Sequence, residues 1–300
     1  MKENLYEPAP HAGEKELLRQ RALDGAERRF GALDGERKER LFYELQLVRK
    51  MQAEGLFLLW ERAISAVKRV VFPYVLSAHN CSLLCYALGI TEVDPFETGS
   101  YPERLLLPGE RIPPLPLFVP ADKLKEAAAQ LTEEERAAVE LLEREMPFID
   151  PQKAAEFFRK RPFEDEELLL KTAKQLGIEH LHSVAQLSDT LVALRFKEFM
   201  EGEPPLEFQE EAVGLLCGVG FSSEEAERIR RAFLKKDEGP ITFYRLRLHE
   251  RAKAEGLDED DFDDIFDLVR REGLYTICRA SYLALAQYLM MQSVSEGGTS

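Results

Sequence analysis

Residues 108–120 carry five prolines in thirteen positions, and no helix can run through such a stretch. The segment must therefore be extended or turning, and it divides two regions of helical periodicity. Before it, Leu41, Leu45 and Val48 follow one another at helical spacing in ERKERLFYELQLVRKM. Gly55 and the β-rich run Leu56–Trp60 are expected to interrupt that pattern, and ERAISAVKRV forms a further helix ending before Pro73. Cys81–Ile90 reads as a buried helix stopped by Gly89. After the prolines, Thr132 with Glu135 makes a capping box for a helix to about Glu145. Asp150-Pro151 is an N-cap with a first-turn proline. Ser222 with Glu225 opens a helix whose apolar side is Ala226, Ile229 and Phe233. Pro204 and Pro205 mark a hinge or loop.

Strand-like runs are few and short, so the expected class is mainly α with a few short strands. The expected division is a flexible leader at 1–13, a region at 14–120, a helical connection at 121–185, a helical region at 186–292 and a flexible tail at 293–300.

Charge and composition exclude several classes. The formal net charge is −15, which argues against a uniformly basic nucleic-acid surface. No run of about 18 apolar residues exists to span a membrane, and the charged first thirty residues lack the apolar core of a signal peptide. Four cysteines do not make a disulfide framework, and reduced thiols in a cytoplasmic protein are expected.

Three stretches resemble the palm and fingers of the C-family replicative polymerases, the bacterial DNA polymerase III α subunits, in that family's order. RLFYELQLVRKMQAEGLFLLWERAISAVKR is similar to the start of the palm, and runs on into YALGITEVDP (Tyr86–Pro95) and PERLLLPGER (Pro102–Arg111). Leu206–Lys236 is similar to a pair of fingers helices, and Asp263–Met290 to the fingers segment beyond it. The resemblance covers roughly 14–118, palm-like, and 186–292, fingers-like. It implies that these regions pack on one another across the connecting segment. The family's N-terminal phosphoesterase-like domain and its later clamp-binding and OB-fold regions have no counterpart in this sequence.

The resemblance also implies a metal site, and the residues that would form it are missing. Polymerisation uses divalent ions held by hard carboxylate oxygens. The family places two aspartates, one residue apart, just after the block matched by Pro102–Arg111. This chain has Ile112-Pro113-Pro114-Leu115-Pro116-Leu117-Phe118-Val119-Pro120 there, with no acid between Glu110 and Asp122. The prolines should also disrupt a central strand. The family's glycine-rich triphosphate loop falls on Val75-Leu76-Ser77-Ala78, which has neither glycine nor arginine, and its nucleotide contacts fall on Thr276-Ile277-Cys278-Arg279. Arg279 is the one charged remnant of a nucleotide site.

The functional expectation is a non-catalytic polymerase III α-like module, working through replication or repair proteins, with no catalytic residue, metal or cofactor. One alternative is an active polymerase or nucleotide-binding enzyme with relocated ligands. The other is a non-specific DNA-binding module using Arg228, Arg230, Arg231, Lys235 and Lys236, although a solvated face balanced by Glu224, Glu225 and Glu227 is the preferred reading of these residues. His79, Cys81 and Cys85 have ligand-like spacing but no fourth partner, and read as small buried groups. His180 and His182 read as surface residues. The acidic run Asp258–Asp267 reads as an amphipathic helix around Phe262, Ile265 and Phe266, with a solvated or partner-facing acidic side.

Overall fold

The computed structural model describes residues 13–75, 77–143, 184–199, 206–256, 258–273 and 276–296. The expected N-terminus at Asp150-Pro151, His180, His182 and the Pro204-Pro205 hinge lie outside these residues. What is described is mainly helical, with two short strands. Among the described residues, no helix is long and apolar enough to cross a membrane.

The N-terminal core begins with α1 (Glu14–Phe30), α2 (Gly35–Lys50) and α3 (Glu54–Val67). Asp34 caps α2 by accepting the Arg37 N–H at 2.7 Å. The expected break at Leu56–Trp60 does not occur, and those residues lie inside α3. Phe57, Leu58, Leu59 and Trp60 are all buried there, because α1 packs on one side of the helix and residues 124–138 on another. A helix buried on several sides reads as a continuous apolar run, which periodicity cannot distinguish from a strand.

A 3-10 turn (Ala78–Cys81) leads into the short α4 (Leu83–Ala87), and Gly89 ends it with φ 71°. A second 3-10 turn covers Pro102–Arg104. The proline-rich stretch forms β1 (Leu115–Val119), so the prolines did not prevent a strand. The reason is directional. Phe118 exchanges both backbone hydrogen bonds with Tyr74 on one side of β1. Pro116 shares that parity, so its missing N–H faces the sparsely paired side, while the other side pairs in parallel with β2 (Val139–Glu143).

Between the strands lie α5 (Leu124–Ala129) and α6 (Glu133–Ala138). The capping box of Thr132 and Glu135 forms as expected. The helix it opens stops at Ala138 rather than near Glu145, because the chain from Val139 onward is taken up by pairing with β1. This core continues beyond residue 120 through Ala127, Leu131, Ala138 and Val139.

Beyond the undescribed segment come α7 (Val184–Phe199), α8 (Gln209–Gly218), α9 (Ser223–Lys235), α10 (Glu238–Glu255), α11 (Glu259–Glu272) and α12 (Arg279–Glu296). Helices α8 to α11 enclose a second apolar core around Leu216, Ile229, Phe233, Leu248 and Phe266. Helix α9 has the capping box at Ser222 and Glu225 and buries Ala226, Ile229 and Phe233. The acidic run forms α11, with Phe266 inward and Asp263 and Asp267 outward against Arg245. Helices α7 and α12 pack together, and α12 also touches the turn at Ala78–Cys81.

Candidate functional site: the junction of the two cores

The two cores meet directly, through the Pro102–Arg111 block and α9, rather than only across the connecting segment. Glu103 is buried and receives hydrogen bonds from Tyr43 Oη at 2.6 Å and from Ser223 Oγ at 2.8 Å. Beside it, Glu227 is shared by three guanidinium groups: Arg230 at 2.7 Å, Arg231 at 2.8 Å and Arg104 at 3.4 Å. Burial alone would raise the Glu227 carboxyl, but Arg230, Arg104 and Arg231 outweigh it and hold the group below the usual carboxylate range. Arg231 Nη2 also donates to the Arg104 carbonyl at 2.9 Å, and Arg228 donates to the Pro108 carbonyl.

The five basic residues singled out on α9 therefore separate. Arg230 is 1% exposed and its Nε and Nη2 are committed to Glu227. Arg228 is also paired with Glu224 at 2.9 Å, and Arg231 with Glu227. Lys235 and Lys236 are exposed at the C-terminal end of α9. Arg228, Arg231 and Lys235 line a cleft of about 450 Å³ together with Phe243 and Tyr244. Arg279 lies elsewhere. Its guanidinium stacks 3.9 Å from the Phe208 ring centre and pairs with Glu211 at 3.4 Å, in a cleft that also contains Glu97, Asp189 and Glu207.

In β1, alternate residues face opposite ways. Leu115, Leu117 and Val119 are 0%, 0% and 1% exposed, and all three belong to the N-terminal core. Pro116 and Phe118 take the other face. A pair of aspartates one residue apart would occupy one of these two faces, and neither carries an acid. The nearest acids along the chain, Glu110 and Asp122, are exposed, and Glu110 lies 3.9 Å from Arg231.

The stretch expected at the triphosphate-binding turn leads into the buried turn Ala78–Cys81. Ser77 Oγ accepts from the His79 N–H and meets His79 Nδ1 at 2.6 Å. His79 is fully buried with its ring against Trp60 at 4.6 Å, and burial pushes its pKa down to about 3, so it is a neutral core residue. Next to it, Glu44 is a fully buried carboxylate on the apolar side of α2. It accepts the Leu83 and Leu84 N–H groups at 3.0 and 2.9 Å, the Ser82 hydroxyl at 2.6 Å and Arg40 Nε at 2.7 Å. It thus satisfies the open N–H groups at the start of α4. The sequence pattern on α2 did not reveal this role, because Glu44 needs partners some forty residues away.

Cys85 is buried, its thiol pushed up by burial, and it belongs to no group of three converging metal donors among the described residues. Cys81 instead faces Cys278 at 3.6 Å between sulfurs, and Cys278 lies 3.6 Å from Glu210 Oε1. Hydrogen bonding between the two thiols raises Cys81 and lowers Cys278, as expected of donor and acceptor. Among the described residues, Cys81, Glu210 and Cys278 are the one group of three potential metal donors with converging atoms, and its ligands are not three carboxylates.

An N-terminal core whose strand β1 carries leucines, docked through the preceding Pro102–Arg111 block onto a second helical core, is the arrangement these features define. Residues 16–156 match the family described as the bacterial DNA polymerase III alpha NTPase domain. The chain is also 36% identical over 115 residues to DNA polymerase III subunit alpha of Aquifex aeolicus (strain VF5). That match covers 36% of this chain and 10% of the relative, so the chain spans a small part of that protein. Over residues 16–156 the chain is DNA polymerase III α-like.

Proposed function

We propose that this protein is a non-catalytic polymerase III α-like module that works by protein contact in DNA replication or repair, in the cytoplasm. The observation that carries the reading is the strand β1, where Leu115 and Leu117 are completely buried at the place the family uses for metal-binding carboxylates. Mg²⁺ needs hard oxygen ligands in near-octahedral geometry, and an apolar core supplies none. The stretch Val75–Ala78, expected at the triphosphate loop, supports the same reading, since it has neither glycine nor arginine and leads into the buried, neutral His79. Contact with other proteins is favoured by Leu234, Phe243 and Leu246, which are 43%, 54% and 58% exposed on α9 and α10.

The test is primer extension on a primed template with Mg²⁺ and all four deoxynucleotides. No incorporation above a protein-free control is expected. Incorporation that rises with protein concentration and survives repurification would refute the reading.

A second reading is favoured by the cleft lined by Arg228, Arg231, Lys235 and the exposed Phe243, a combination suited to phosphates and a stacked base. Fluorescence anisotropy with a labelled single strand over a salt series examines it. Binding that weakens steeply with salt and is lost in Lys235→Glu would favour DNA contact, and no binding at low salt would remove it.

A further inference from the structure

We propose that Cys81, Cys278 and Glu210 form a zinc-binding site that clasps the two cores together. This inference is independent of whether the protein polymerises.

The three donors come from three elements far apart in the chain. Cys81 ends the 3-10 turn of the N-terminal core, Glu210 lies in the first turn of α8, and Cys278 immediately precedes α12. With Zn–S about 2.3 Å and Zn–O about 2.0–2.2 Å at tetrahedral angles, two thiolates should stand about 3.8 Å apart and a thiolate and carboxylate oxygen about 3.5–3.7 Å apart. The sulfurs are 3.6 Å apart, and Cys278 Sγ is 3.6 Å from Glu210 Oε1. All three donor atoms lie within 4.8 Å of one another. Two of the three spacings are already those of a tetrahedral site, and the third is close enough for side-chain rotation to complete it.

The surroundings suit such a site. Ser100 Oγ donates to Glu210 Oε1 at 3.1 Å, and the Arg279 N–H donates to Oε2 at 3.2 Å, which fixes the orientation of the carboxylate. Two thiolates and a carboxylate around a dication leave one net negative charge. Arg104 and Arg230, which share the buried Glu227, lie close enough to offset it in part. The buried Nη1 of Arg230 has no hydrogen-bond partner among the described residues, and Arg230 feels the charges of Cys278 and Glu210. Thiolate donors select zinc over Mg²⁺, and the carboxylate favours zinc over monovalent copper. Three protein ligands leave the fourth position to water.

The test uses the full chain, stripped with a chelator under reducing conditions and reloaded with zinc sulfate. Mass-spectrometric metal analysis should find stoichiometric zinc, and thermal melting should shift upward with added zinc. Cobalt(II) in place of zinc should give a thiolate-to-metal charge-transfer band. Cys278→Ser should lose the zinc and the band while keeping the circular dichroism of the wild type. Glu210→Gln, which keeps both thiolates, should weaken zinc binding by about tenfold or more. Failure of the reloaded wild type to hold zinc would overturn the proposal. So would equal zinc in Cys278→Ser, or a Cys81–Cys278 disulfide in peptide maps of the unreduced protein.

Discussion

Replacing Leu117 with aspartate restores the kind of group that a polymerase strand would carry, in a place the fold has filled with apolar side chains. Leu117 is 0% exposed, and losing its burial should cost about 1.5–3 kcal/mol. The new carboxyl has no positive partner on that face of β1, so it must stay protonated. Full burial raises a carboxyl pKa by up to about 3–5 units, so at pH 7 the group must be held neutral about 3 units above its unfolded pKa, which at about 1.36 kcal/mol per unit adds roughly 4 kcal/mol. The sum, about 5.5–7 kcal/mol, is comparable with the whole stability of an ordinary domain, about 5–15 kcal/mol. The sign with pH follows from the raised folded pKa. Below the unfolded value of about 3.9 both states are neutral and the ionisation part vanishes, and it grows as pH rises towards the folded pKa. Leu117→Asn should be destabilised without that dependence. Trp60 is the sole tryptophan and lies in the same core, with its indole N–H on the Ala138 carbonyl at 2.8 Å, so its fluorescence during urea unfolding is the assay. A Leu117→Asp protein with a wild-type midpoint at neutral pH would mean that β1 lines an open cleft, and the non-catalytic reading would lose its main support.

Glu227→Gln should destabilise the junction by about 3–5 kcal/mol, because it leaves the buried Arg230 without its counter-charge. Since the folded Glu227 pKa is depressed, its stabilisation is present above the unfolded carboxylate value and lost as pH falls through the folded one. Acid unfolding followed by circular dichroism should therefore be less steep in the variant, and coincident curves would contradict this. Gly25→Ala should also destabilise, by about 1–3 kcal/mol in chemical unfolding, because a Cβ there would collide with the Ala87 carbonyl where α1 crosses α4. A neutral outcome would mean that the two helices separate at no cost.

Local chemistry was legible in the chain. The capping boxes at Thr132 and Ser222, the buried side of α9, the stop at Gly89 and the acidic amphipathic α11 each depend on residues within about one or two turns. The absence of acids between Glu110 and Asp122 was equally plain, and no folding can supply a carboxylate the segment does not contain. What the linear pattern lacked were the partners. Whether residues after Ala138 continue as helix or pair as strand depends on β1 offering an edge some twenty residues earlier. Leu56–Trp60 read as strand until several elements were seen to surround it as a helix. Nothing in the sequence marked Glu44, Glu103 or Glu210, which become buried or junction groups only when α4, α9 and α12 are brought against them. The same holds for Cys81, whose sulfur meets Cys278 from 197 residues away. Propensity and capping act over a few residues, so the sequence determined the elements and the missing carboxylates. Buried charge and metal-like geometry depend on which distant donors share a space, and only the tertiary structure decided that.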